Sequence, residues 1–213
     1  VRTIVVPYPQ SGPTHYRDLE PIVERAAAGL ESFFVLGWSF GGPLALRLAA
    51  TRPEAVLGVI LAASFVRPPR PELVRWRRAT VGAVLWTLRA IRRTRFLVPR
   101  LATPELRRAK GETWRRARSG ALAARARAAL AVDARVDLAA CRAPILYLAS
   151  EEDSSVPRHN VGDVLAGARR AEVTTIPGRH LAIFTHAEEA ELAILEFVRR
   201  WSDAAVEFVS PRR

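Results

Sequence analysis

The chain has no methionine, one cysteine and one lysine among its 213 residues. A lone thiol, Cys141, excludes an internal disulfide framework and a thiolate metal cluster. A reducing, cytoplasmic setting is therefore the expectation. No apolar run approaches the ~18 residues of a membrane-spanning helix. The longest candidate, Val81 to Leu88, falls far short. No basic-then-apolar leader opens the chain, and no zinc-finger spacing or RNA-recognition signature occurs anywhere in it. The lack of methionine extends to position 1, which is the mark of a fragment, a processed chain or a non-ATG start. Histidine is scarce too, at four residues, so any imidazole chemistry has few candidates.

What is present is enough for a substantial core. Apolar residues make up 49% of the chain, and this length fits one domain or one domain with an insertion. Abundant Ala, Arg and Pro suit a GC-rich bacterial coding sequence. The formal net charge of +12 is uneven. Residues 67–130 hold 17 Arg and Lys110 against Glu72, Glu105 and Glu112, a net +15, while the remainder is −3. Trp76, Trp86 and Trp114 are interleaved with those charges, and Leu85, Leu88, Ile91, Leu97 and Leu101 add an apolar component.

The most informative stretch is Phe33-Phe34-Val35-Leu36-Gly37-Trp38-Ser39-Phe40-Gly41-Gly42. A short apolar run leads into Gly37-x-Ser39-x-Gly41, and a helical pattern follows with Leu44, Ala45, Leu48 and Ala49. Strand, tight turn and helix are the context in which such a serine becomes an exposed nucleophile. Gly37 and Gly41 are expected to give clearance where a Cβ would collide. Gly42 extends it, and Pro43 suits a first helical turn. The bland alternative is a glycine-rich turn whose serine caps a helix.

Two later strand exits supply the partners a nucleophilic serine needs. Pro144 to Leu148 reads as a buried strand, followed by Ala149-Ser150-Glu151-Glu152-Asp153-Ser154-Ser155-Val156-Pro157. An acid there sits at the carboxyl edge of a parallel strand, where ligands bind. Asp153 is the choice, with Glu151 and Glu152 as alternatives. Glu172 to Ile176 forms another strand, and Pro177-Gly178-Arg179-His180 turns out of it. From that loop His180 can reach a serine hydroxyl with one ring nitrogen and an aspartate with the other. His15 precedes the serine, His159 reads as a surface helix residue, and His186 falls at the start of the last helix.

The combination of elbow, acid loop and histidine loop resembles the α/β-hydrolase superfamily, over residues 1–66 and 136–201. The resemblance implies an α/β fold: a mostly parallel sheet flanked by helices, with an Arg-rich helical cap inserted. It places the core in 1–66 and 136–201, the cap and return segment in 67–135, and a tail in 202–213. The expected order is strand 3–6, helix 16–30, strand 33–36, helix 43–51, strand 56–62, strand 144–148, helix 158–169, strand 172–176 and helix 186–201.

The implied activity is hydrolysis of a small-molecule carboxylic ester or thioester through an acyl-enzyme. Ser39 is the nucleophile, His180 the base and Asp153 its orienting acid, with the backbone N–H of Phe40 in the oxyanion hole. No metal or organic cofactor is implied. Family members with dehalogenase activity use a carboxylate where Ser39 stands. Residues 2–9 look like the strand after the family's upstream oxyanion loop, so that loop and its strand are expected to be lacking. The rival reading makes Pro7-Tyr8-Pro9-Gln10-Ser11-Gly12 a divergent oxyanion loop, with two prolines that have no N–H to offer. A hydrolase-like binding protein with an incomplete oxyanion hole is the alternative function. The basic segment admits three readings: a solvated lid face, a lid whose field draws an anionic substrate, or a module for an anionic membrane surface. Nucleic acid is the weakest partner, for want of a recognition signature.

Overall fold

The structure, a computed structural model, describes residues 2–12, 14–76, 104, 108 and 119–209. Helix α1 (Tyr16–Ala27) leads to strand β1 (Phe33–Trp38), a 3-10 turn (Ser39–Gly41) and helix α2 (Gly42–Thr51). Strand β2 (Val56–Ala62) precedes a second 3-10 turn (Pro71–Trp76). Helices α3 (Ser119–Ala129) and α4 (Arg135–Ala140) lead to β3 (Ile145–Ser150), α5 (His159–Gly167) and β4 (Ala171–Ile176). A single-turn helix, α6 (Ala182–Thr185), and the long α7 (Ala187–Val209) follow.

The four strands are parallel and lie in the order β1-β2-β3-β4. Parallel strands need both faces covered, and both are. Val59, Leu61, Ile145 and Tyr147 face Leu46 of α2, Leu138 of α4 and Val164 of α5. Ile60, Leu146, Leu148 and Ile176 face the other way, against Ala182 of α6 and Ala190 and Phe197 of α7. The alternation of side chains along β2 and β3 sorts these residues into two layers. A third cluster packs Leu19, Val23 and Ala27 of α1 against Leu44 and Leu48 of α2. The four-residue spacing of those α1 side chains puts them on one helical face.

The expected strand 3–6 does not form. Residues 2–9 have no regular secondary structure, and Ile4 and Val5 are exposed. A strand needs a ladder partner for its N–H and C=O groups, and β1 is the edge of the described sheet with nothing paired on its outer side. Val6 and Tyr8 instead pack beside α1 and Phe40. Helix α1 also stops at Ala27, short of the expected residue 30. There the Arg52 guanidinium donates to the carbonyl oxygens of Ala27 and Leu30. A cation at a helix C-terminus satisfies orphan carbonyls and complements the dipole. At its other end, the Asp18 carboxylate accepts the His15 N–H at 3.0 Å, as a first-turn acid should.

Most of the expected cap, including Trp86, Trp114 and the Leu85–Leu101 apolar positions, lies outside the described residues. Its two ends are described and meet: the Ala134 N–H donates to the Val66 carbonyl at 2.7 Å. The outgoing end is tied to the core by Arg67, whose Nε and Nη2 donate to both Asp163 oxygens at 2.6 and 2.7 Å. On the return, Thr14 Oγ1 donates to the Ala121 carbonyl at 3.3 Å, docking α3 onto the N-terminal loop. Helices α4 and α6 are additional to the expected set. Each is a short turn in a segment whose sequence carries no sustained helical stripe. Helix α7 runs past the expected residue 201 to Val209, into the segment read as a tail.

Phe197 is 1% exposed and meets Phe34 edge-on, with ring centroids 6.0 Å apart. Phe197→Ala is expected to cost about 3–5 kcal/mol, read as a lowered urea midpoint with an unchanged m-value. Leu192→Ala, on the exposed face of the same helix, should stay within about 0.5 kcal/mol of wild type.

Candidate active site

The site lies where chain leaves the carboxyl ends of β1, β3 and β4. Ser39 follows β1 directly and has φ 50°, the left-handed region that a non-glycine residue rarely adopts. That conformation costs on the order of 1–2 kcal/mol, and its surroundings hold it there. Ser64 Oγ, on a fully buried side chain just past β2, donates to the Ser39 carbonyl at 2.8 Å. The Ser64 carbonyl in turn accepts the Tyr147 hydroxyl at 2.6 Å. Strand β3 thus braces the exit of β2, which braces the turn at Ser39. Ala63, in the same braced exit, also has a positive φ, 44°.

Glycine supplies the remaining clearance, though not quite where expected. A Cβ on Gly37 would lie 2.6 Å from Gly42 Cα. On Gly42 it would lie 1.7 Å from Ser64 Oγ. On Gly41 it would only touch the Tyr8 hydroxyl, at 3.4 Å, an ordinary contact. The steric constraint expected at Gly41 therefore falls on Gly42.

Three residues distant in sequence come together at this rim. His180 Nε2 lies 2.9 Å from Ser39 Oγ, and its Nδ1 lies 2.8 Å from Asp153 Oδ2. A carboxylate accepts only, so a neutral His180 in this arrangement carries its proton on Nδ1 and presents the Nε2 lone pair to the serine hydroxyl. Asp153 Oδ1 is occupied by the N–H groups of Ser155 and Val156, at 2.8 and 2.9 Å. The Asp153 side chain is 3% exposed and that of His180 is 23% exposed. Glu151 and Glu152 are exposed, and Glu152 faces Arg179 at 3.7 Å. Of the three acids in the turn, the structure brings Asp153 alone to the imidazole. His15 and His159 are exposed, and His186 bonds its neighbour Thr185 at 3.0 Å.

The histidine has far to reach. Strands β1 and β4 are three spacings apart, about 14 Å at ~4.8 Å per strand. The loop after β4 must therefore lean back across the sheet. Trp38 anchors it: its indole N–H donates to the His180 carbonyl at 3.3 Å, and its ring lies 5.4 Å from the imidazole. Phe184 of α6 meets Trp38 edge-on at 5.0 Å. Sequence reasoning named Trp38 only as a letter of the motif. Its signal was its position, one residue before the candidate nucleophile Ser39 and at the end of a strand.

Phe40 is the second residue of the 3-10 turn, so its N–H has no carbonyl one turn earlier to bond. Its ring stacks on Tyr16 at 4.4 Å and 14°, and meets Tyr8 at 6.3 Å and 73°. Tyr16, Ser64 and Tyr147 were missed as site residues, since nothing in their local sequence separates them from core residues, and Tyr8 entered only as part of the rival oxyanion-loop reading. Burial raises the pKa of Tyr8, Tyr16 and Tyr147 above the ordinary tyrosine value. Among the described residues, no group of three His, Cys, Asp or Glu side chains could hold a metal ion. No described helix is long and apolar enough to cross a membrane.

The family described as alpha/beta hydrolase fold matches residues 9–187 of the chain. No curated protein sequence matches it. Among solved structures, a hydrolase from Pseudomonas aeruginosa is similar at 24% identity and TM-score 0.70, over 88% of this chain and 73% of that one. A bromoperoxidase from Bacillus anthracis is similar at 19% identity and TM-score 0.72, over 88% and 75%. A thermophilic esterase from Thermogutta terrifontis is similar at 21% identity and TM-score 0.66, over 89% and 74%.

Two outcomes test this construction. Gly42→Ala should lower the melting temperature by several degrees, because Ser64 cannot withdraw without abandoning Ser39. In the folded state the three tyrosines hold their protons more tightly than the unfolded chain does. Stability should therefore be intact below about pH 10 and lost as pH climbs beyond it. Tyr147→Phe should flatten that alkaline slope in denaturant titrations, at a cost of about 1–3 kcal/mol near neutrality from the orphaned Ser64 carbonyl.

Proposed function

The chain belongs to the α/β-hydrolase family, and from that premise we propose that it hydrolyses a carboxylic ester or thioester through an acyl-enzyme. The observation that carries this reading is the continuous hydrogen-bonded run from Ser39 Oγ through both His180 nitrogens to Asp153.

In this mechanism Ser39 Oγ attacks the acyl carbonyl as His180 Nε2 removes its proton. The oxyanion that forms takes a hydrogen bond from the Phe40 N–H, with the start of α2 adding its positive end. His180 then delivers the proton to the departing alcohol or thiol. Asp153 stays ionised, fixes the tautomer and stabilises the imidazolium. Its two backbone hydrogen bonds keep the carboxylate from rotating away. Water, deprotonated by the same imidazole, releases the acid and restores the hydroxyl.

A second reading is a hydrolase-like binding protein with feeble turnover. What favours it is the loop beside Phe40. Residues 7–12 approach the elbow through Tyr8, yet Pro7 and Pro9 have no N–H to share an oxyanion. Loss of one such donor typically costs ~10²–10³ in turnover.

Labelling with a fluorophosphonate probe separates the outcomes. Wild type should label at Ser39 and release p-nitrophenol from p-nitrophenyl butyrate. Ser39→Ala should do neither, a loss on the order of 10⁴-fold or more. Asp153→Asn should retain the fold and lose roughly 10⁴-fold in kcat. Labelling without turnover would favour the binding-protein reading. Wild type labelling no better than Ser39→Ala would end the acyl-enzyme reading.

A further inference from the structure

Several described arginines face carboxylates, whereas Arg52, at the end of α1, and Arg125, over Tyr8, are held by carbonyl oxygens. Arg47 meets Asp137, Arg67 meets Asp163, Arg135 meets Asp133 and Arg200 meets Glu172. Arg125 of α3 has no carboxylate partner among the described residues. Its guanidinium stands over the Tyr8 ring, 5.7 Å from the centroid, and Nη2 donates to the Pro9 carbonyl. Its Nε is buried without a hydrogen-bond partner. Burial lowers its pKa from the ordinary arginine value, with Tyr8 acting the other way. A cation taken out of water without an anion is costly.

Two hydroxyls of the adjoining aromatic cluster are uncommitted. The Tyr16 hydroxyl is buried with no partner. The Tyr8 hydroxyl faces Gly41, two residues past the nucleophile. Tyr8 and Tyr16 flank the Phe40 ring, so the cluster adjoins the residue whose N–H meets the oxyanion. A guanidinium offers donors only, and a phenol offers a donor. What the cluster lacks is an acceptor carrying one negative charge.

We infer that Arg125, assisted by Tyr8 and Tyr16, forms a subsite for a carboxylate carried by the substrate, so that the preferred ester is the half-ester of a dicarboxylic acid. This rests on the proposed ester or thioester hydrolysis and names its substrate class. One unpaired guanidinium matches the single charge of a carboxylate, and its planar fork suits the two oxygens.

The test compares mono-4-nitrophenyl adipate with 4-nitrophenyl hexanoate, equal in chain length and differing in the terminal charge. Wild type should show a kcat/KM at least about tenfold higher for the half-ester, the worth of a charge-assisted hydrogen bond. In R125Q that preference should collapse at least tenfold, and in R125K several-fold, since lysine keeps the charge and loses the fork. Y8F should lower it by a smaller factor. Adipate should also bind wild type by calorimetry and bind R125Q at least tenfold more weakly. A wild type that favours the neutral ester, or treats both alike, overturns the subsite whether or not the variants fold. A half-ester preference that survives in folded R125Q overturns it too. If neither ester turns over and Ser39 does not label, the hydrolase reading fails, and the adipate calorimetry still decides the subsite.

Discussion

The hydrogen bond from the buried Ser64 hydroxyl to the Ser39 carbonyl is the contact on which the rest of the rim depends. Ser39 sits in a backbone conformation that glycine adopts freely and serine resists. The sequence cannot use glycine there if it is to carry out the proposed chemistry, which needs a hydroxyl. The strain is therefore opposed from behind. Tyr147 fixes Ser64, Ser64 fixes Ser39, and Gly42 keeps the space between them open. Local strain at a functional position, held by surroundings that over-determine it, is a recurrent feature of active sites. Here the bracing comes from two neighbouring strands rather than from the turn itself.

The sheet converts this local constraint into a site. Parallel strands deliver all their exits to one edge, so a serine after β1, an acid after β3 and a histidine after β4 can share a rim. They are not equally easy to place. The acid and histidine leave adjacent strands, and a short hydrogen bond between them follows. The serine and histidine leave the two outer strands of the described sheet. Closing that span takes the Trp38 indole and the small helix α6, which pull the histidine loop back over the sheet edge.

Much of this was legible in the sequence because the informative residues are locally marked. Gly37-Trp38-Ser39-Phe40-Gly41-Gly42 announces a strand, a tight turn and a helix. Apolar runs such as Ile145 to Leu148 announce buried parallel strands. Among Glu151, Glu152 and Asp153, sequence alone gave a preference, and geometry separates them by which carboxylate faces the imidazole. The strand expected at 3–6 was misread because β-branched residues report a propensity, while a strand exists only with a neighbour. The clearance expected at Gly41 belongs to Gly42 because the obstacle, Ser64, is 22 positions further along the chain. Ser64, Tyr147 and Arg125 were illegible for the same reason: their roles are set by what tertiary structure places against them.

The most direct measurement is a crystal structure of the protein after reaction with a small alkyl fluorophosphonate. Phosphorus should be bonded to Ser39 Oγ, with one phosphoryl oxygen within hydrogen-bond distance of the Phe40 N–H and His180 Nε2 still beside the ester oxygen. An unmodified Ser39, or an adduct on another residue with His180 turned away from it, would contradict the account.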